Sequence, residues 1–150
     1  MSGTEPVPSG TFLLRNAGSG LLLEGRGGTG VQQGPDRGAA AQRWRLSPVH
    51  EGSGLHHVVN EATGKRLDVA NAAIENGTRI QQWRANNFGA QEWIVERHPD
   101  APGRVSLVSW ISGLLLEVAD RSTEEGARVQ QWEDTDSPYQ WWQLEPVAGN

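Results

Sequence analysis

The sequence predicts an all-β fold of twelve short strands, arranged as three repeats with pseudo-threefold symmetry around one shared core. Three observations carry this. A Gln-x-Trp triplet occurs at Gln42-Arg43-Trp44, Gln91-Glu92-Trp93 and Gln140-Trp141-Trp142, with each indole 49 residues past the one before, and so long a fixed period marks a structural unit used repeatedly. Each triplet follows the same two steps. Leu67-Asp68-Val69 then Ile80-Gln81-Gln82-Trp83 in the second unit superposes without a gap on Leu116-Glu117-Val118 then Val129-Gln130-Gln131-Trp132 in the third. Finally, 19 Gly and 8 Pro leave no long run free of turn residues, which favours short strands over helices.

Taken in order, residues 1–9 read as a Pro-, Ser- and Gly-rich flexible lead-in, and residues 10–147 as one domain with repeats at about 10–49, 54–97 and 103–147. Phe12-Leu13-Leu14 and Leu21-Leu22-Leu23 flank a Gly-rich break and read as a hairpin. The second unit repeats this with His57-Val58-Val59 and Leu67-Asp68-Val69, and the third with Val105-Ser106-Leu107-Val108 and Leu114-Leu115-Leu116. Val31-Gln32-Gln33, Ile80 to Trp83 and Val129 to Trp132 supply a third strand per unit; Trp44-Arg45-Leu46, Trp93-Ile94-Val95 and Trp142-Gln143-Leu144 supply a fourth. The first unit departs from the others twice. Its loop between Glu24 and Val31 is five residues shorter, and Gly34 stands where the others carry Trp83 and Trp132.

Several function classes are set aside. With no cysteine there is no disulfide framework and no thiolate nucleophile or metal site. A net charge of −5 without a Lys/Arg cluster argues against nucleic acid, and no run of about 18 apolar residues could span a bilayer. The N-terminus lacks the basic start and apolar stretch of a secretory leader, so this chain alone reads as cytoplasmic. Gly25 to Gly30 spells a GxGxxG, but Val31-Gln32-Gln33-Gly34-Pro35 cannot form the helix that a dinucleotide phosphate needs. His50, His56, His57 and His98 lack metal-ligand spacing and read as solvated linker positions; Asp134-Thr135-Asp136 reads as an acidic turn. No catalytic constellation is present, and no cofactor or metal is expected.

The tryptophans divide into two classes. Trp44, Trp93 and Trp142 occur in every unit and are assigned to the core, with Gln42, Gln91 and Gln140 bonding backbone in their own unit. Trp83 and Trp132 are missing from the first unit, so they are not needed by the core and are free to meet a ligand. An exposed indole beside a carboxylate and an amide suits a sugar. The pyranose C–H face stacks on the ring, while its hydroxyls bond to groups that accept strongly or that both donate and accept.

With these repeats the chain, from about Thr11 to Val147, resembles the ricin-type β-trefoil lectin family. The resemblance implies a β-trefoil fold, glycans or simple sugars as partners, and secretion. It places sugar-binding roles on Asp68, Gln81, Trp83 and Gln91 in the second repeat, with Asn86 or Asn87 substituting for a family Asn where Ala90 stands. In the third it implies Glu117, Gln130, Trp132 and Gln140, with Tyr139 in the Asn position. The first repeat keeps Glu24 and Gln32 without an aromatic, and no site is expected there. The alternatives are a trefoil protein-interaction or scaffold module with eroded sugar sites, and an accessory module of an enzyme.

Overall fold

The structure, a computed structural model, describes residues 9–147. Apart from Ser9, the lead-in expected at residues 1–9 therefore lies outside the described residues. Twelve strands run in order: β1 (Gly10–Asn16), β2 (Leu22–Gly25), β3 (Val31–Gly34), β4 (Trp44–Pro48), β5 (Leu55–Asn60), β6 (Arg66–Val69), β7 (Ile80–Trp83), β8 (Trp93–Arg97), β9 (Arg104–Ser109), β10 (Leu115–Val118), β11 (Val129–Trp132) and β12 (Trp142–Pro146). Antiparallel pairing of β1 with β4, β4 with β5, β5 with β8, β8 with β9, β9 with β12 and β12 with β1 closes a six-stranded barrel without edges. The hairpins β2–β3, β6–β7 and β10–β11 cap it, giving the β-trefoil. Five single-turn 3-10 segments, which the repeat pattern does not announce, join the strands.

Trp44, Trp93 and Trp142 are fully buried and pack with Leu14, Val58, Leu107 and the inward residues of the caps in one core. A buried indole N–H needs a partner, and all three find the same one: the Nε1 atoms donate to the carbonyls of Leu23, Leu67 and Leu116 at 3.0, 3.1 and 3.1 Å. The second Gln of each Val/Ile-Gln-Gln step is also fully buried and locks its repeat to a neighbour. The Nε2 of Gln33 donates to the carbonyls of Ser122 and Glu124, that of Gln82 to Arg26 and Gly28, and that of Gln131 to Ala73 and Glu75. The Gly-rich loop at 25–30 thus serves as the receiver for Gln82.

Three histidines depart from the solvated positions expected of them, the half-buried His57 of β5 among them. His56 is buried in β5 with Nδ1 3.1 Å from the Gly54 carbonyl, and burial holds its pKa below the usual imidazole value. His98 is half-buried, accepting from Arg104 Nε at Nδ1 and meeting Ser106 Oγ at Nε2.

The three β-hairpin turns expose one asymmetry. Asn16 and Asn60 reach across a repeat boundary, donating from Nδ2 to the carbonyls of Tyr139 and Ala41, both at 2.9 Å. Ser109 holds the equivalent place in the third repeat, and its Oγ is buried without a partner. A buried hydroxyl left unsatisfied costs on the order of 1 kcal/mol or more. Ser109→Asn is therefore expected to raise stability by about 1 kcal/mol in urea unfolding; an unchanged or lower midpoint would show that the longer side chain does not fit.

Candidate functional site

Strand register assembles the site. In the second cap Asp68 pairs with Gln81 and Arg66 with Trp83; in the third Glu117 pairs with Gln130 and Leu115 with Trp132. Gln81 and Trp83, two residues apart, share a face, so a carboxylate, an amide and an indole converge on one side of each hairpin. Asp68 accepts from Gln81 Nε2 at Oδ1 (3.1 Å) and from Gln91 Nε2 at Oδ2 (3.0 Å). Glu117 accepts from Gln130 at 2.8 Å and Gln140 at 3.1 Å. The Gln91 amide is itself fixed, since Nε2 also donates to the Arg84 carbonyl and Oε1 accepts from the Asn86 N–H. Gln140 repeats this with the Glu133 carbonyl and the Thr135 N–H. Each carboxylate is thus held in one orientation by two amides, with further lone pairs on both oxygens.

A second wall comes from the turn after the carboxylate strand. Asn71 and Ala72 (φ 58° and 52°) and Asp120 and Arg121 (φ 58° and 52°) adopt left-handed backbone in succession, a costly conformation for residues with a Cβ. The first repeat, with its clipped loop, lacks this turn. The second cleft, about 460 Å³, is lined by Asp68, Asn71, Ala72, Arg79, Gln81, Trp83, Asn86 and Phe88. The third, about 380 Å³, is lined by Glu117, Asp120, Arg121, Gln130, Trp132, Thr135, Asp136, Ser137 and Pro138. Both volumes suit a small ligand. Trp83 is 39% exposed and Trp132 36%, against 0% for the three core indoles.

Of the residues singled out in the second repeat, Asp68, Gln81, Trp83 and Asn86 line the cleft, while Asn87 does not. Gln91 stands behind Asp68 with no exposed surface, and Gln140 stands likewise behind Glu117, so neither reaches a ligand directly. Their bonds go to a carboxylate as well as to the backbone expected for them. Tyr139 turns out of the third cleft. Its ring lies flat on Gly18 of the first repeat, where an added Cβ would approach the ring atoms to 2.7 Å, and it carries the Arg121 guanidinium 5.6 Å from its centroid. It therefore supports a cleft residue. Sequence reasoning missed Asn71, Ala72, Arg79, Phe88, Asp120, Arg121 and Asp136. For Asn71, Ala72, Arg79, Asp120 and Arg121 the available signal was the loop that the second and third units share and the first has shortened; Phe88 and Asp136 lie in a loop of equal length in all three units and had no such signal.

Burial pushes the Asp68 and Glu117 carboxyls above their usual values, with the amide hydrogen bonds only partly offsetting it. Glu24 goes the other way. Burial is again the largest influence and raises its pKa, but bonds from Gln32, Arg37 and Gln42 together with the Arg37 charge outweigh it and leave the carboxyl below its usual value. Arg37 Nε sits 3.2 Å from Glu24 Oε1, and Arg37 holds the place that Asn86 and Thr135 hold in the linings of the other two clefts. A Cβ on Gly34 would come within 2.5 Å of Glu24 Oε2, so a side chain there would have to displace the carboxylate from its present bonds. The first repeat has satisfied its carboxylate internally.

A β-trefoil with oriented carboxylate–amide–indole clefts in two of its repeats has the architecture of a lectin. The chain belongs to the ricin-type beta-trefoil lectin domain-like family, whose sequence profile matches residues 4–83 and 89–150. It is similar in structure to ThreeFoil, a designed threefold-symmetric protein (30% identity, 91% of this chain and 99% of that one, TM-score 0.86). A similar likeness holds to part of 1,3Gal43A, an exo-β-1,3-galactanase from Clostridium thermocellum (30% identity, 95% and 31% covered, TM-score 0.85). The Macrolepiota procera ricin B-like lectin, solved with lactose, shares the fold at 16% identity (96% and 100% covered, TM-score 0.81). A comparison with curated protein sequences gives no match. Among the described residues no helix is long and apolar enough to cross a membrane.

Proposed function

We propose that this chain binds sugars, without catalysis, at the second-repeat cleft through Asp68, Gln81, Trp83 and Asn86, and at the third through Glu117, Gln130 and Trp132. The observation that carries this reading is the oriented carboxylate set beside an exposed indole, built twice and in the same way. Sugar hydroxyls donate to Asp68 or Glu117, the cleft amides accept and donate, and the indole face receives the C–H patch. Gln91 and Gln140 act as positioning residues. The lactose bound by the Macrolepiota procera lectin is consistent with this ligand class. In the second cleft Asp68 is the one carboxylate among the lining residues, whereas glycoside hydrolysis uses a flanking pair, so this cleft favours binding; in the third, Asp120 and Asp136 join Glu117, and the binding reading there rests on its likeness to the second.

Such open clefts bind weakly. At about −0.3 kcal/mol per non-hydrogen atom, a monosaccharide of about a dozen such atoms has a Kd of about 2 mM. Two clefts engaging one glycan surface would add about 10²-fold through avidity. Calorimetric titration with galactose, lactose and mannose tests the reading. At least one should bind, Trp83→Ala and Trp132→Ala should each weaken binding, and the double variant should abolish it while still unfolding in one cooperative transition only a few degrees below wild type. Silence of wild-type protein toward all three sugars and toward a glycan array would reject it.

A further inference from the structure

We propose that the second cleft continues across the boundary between the second and third repeats, where Phe88 and Trp110 hold further units of an uncharged oligosaccharide whose end lies against Trp83. This rests on the sugar-binding reading and adds the ligand's length and class.

Among the described residues five large apolar side chains remain exposed, and three of them, Trp83 (39%), Phe88 (71%) and Trp110 (56%), gather here. Phe88 lines the cleft together with Trp83. Trp110 belongs to the β9–β10 turn of the next repeat and lies against Gly89, the residue after Phe88. A Cβ on Gly89 would meet Ile111 Cγ2 at 2.9 Å and Trp110 Cδ1 at 3.3 Å, so this glycine is what lets the indole sit on the backbone beside the cleft.

The pseudo-symmetry supplies an internal control. Trp110 N donates to the Glu92 carbonyl just as Ala17 N donates to Trp141 and Glu61 N to Arg43, so Ala17 and Glu61 are its counterparts. Phe88 precedes its 3-10 turn as Ala39 and Ser137 precede theirs. The frame closes with alanine, glutamate or serine at these places, and the two exposed rings are therefore not needed by it. Contiguous exposed apolar surface marks a binding region. Aromatic faces spaced along a surface suit a chain of pyranose rings, each offering a C–H patch while its hydroxyls stay in water. The residues between the rings, Gly89 and Ile111, are uncharged, which suits a neutral sugar unit lying over them.

The test measures affinity against chain length in a Trp132→Ala background, so that the second cleft alone reports. The probes are galactose and glucose, followed by neutral β-linked galactan and glucan oligosaccharides of two to five units. Affinity should rise on the order of tenfold between one and three units for at least one series, from stacking on the added rings. With Trp110→Ala the rise should shrink to within about twofold, on the same scale, while monosaccharide affinity stays unchanged. Trp110 should also be protected from oxidation by N-bromosuccinimide when the trisaccharide is bound and not when the monosaccharide is. Because alanine already fills the equivalent place at Ala17, the variant should fold, which its thermal melt checks. Monosaccharide binding with no dependence on length, or a dependence that survives Trp110→Ala, overturns the extension alone. Failure of every sugar, short or long, removes the sugar-binding reading with it.

Discussion

Trp93→Ala should cost about 3–5 kcal/mol of folding free energy, out of a total of about 5–15 kcal/mol for a domain of this kind. Trp93 is fully buried, so its loss removes a large apolar surface and leaves a cavity bounded by strands of more than one repeat. It also strips the Leu67 carbonyl of its indole donor at 3.1 Å, leaving a buried acceptor without that partner. That carbonyl belongs to the residue before Asp68, so the damage should reach the second cleft. Trp83→Ala provides the comparison within the same repeat. Its side chain is partly solvated and packs on the cap, so its removal should cost about 1 kcal/mol or less. Urea unfolding of the two variants decides the matter; equal midpoints would mean that the two classes of indole are not energetically distinct.

The division of the indoles was legible in the sequence because the repeats act as three versions of one experiment. For the indoles, the one kept in all three copies serves the shared interior, and the one missing from a copy does not. The same comparison would also have found the second Gln of each Val/Ile-Gln-Gln step, which was not singled out, since strand alternation puts it on the face of the buried Val31, Ile80 and Val129. Its partners could not be read, because they are carbonyls of a loop in another repeat, and only closure of the threefold assembly brings these within 3.3 Å. Gln91 and Gln140 show a similar limit. Their place near the site was legible, but that they stand behind the carboxylate depends on side-chain packing. Tyr139 was misplaced for a third reason: its ring fits the gap left by Gly18, a residue more than a hundred positions earlier, and that complementarity has no local trace. Arg37 likewise sits in a short loop whose sequence does not say that it will cover Glu24.

Asp68→Asn should separate binding from folding. The two side chains are nearly isosteric, and the surrounding bonds dictate how Asn settles. Gln91 cannot reverse its amide without losing both the Arg84 carbonyl and the Asn86 N–H, so the new carboxamide must present its oxygen to Gln91 and its nitrogen toward Gln81. Gln81 can turn, giving up only its bond from the Arg79 guanidinium on an exposed surface. The ligand then meets a neutral amide where it met a charged acceptor. Losing one charge-assisted hydrogen bond, about 1.5–3 kcal/mol, lowers second-cleft affinity by roughly 10- to 100-fold in a Trp132→Ala background.

Stability should not follow. Burial holds the folded Asp68 carboxyl above its unfolded pKa, so between the two values the native state binds more protons than the unfolded chain. Its contribution to stability therefore falls as pH rises through that window, and at neutral pH the buried charge is a cost that asparagine removes. The urea midpoint of Asp68→Asn at neutral pH should match or slightly exceed that of wild type. Binding carries the opposite dependence, since hydroxyl donors favour the ionised form. Wild-type affinity should fall on acidification at a higher pH than an ordinary aspartate would impose, and the residual affinity of the variant should stay flat over the same range. Equal affinity in the two proteins, or a wild-type affinity indifferent to acidification, would mean that Asp68 is not the group that receives the sugar.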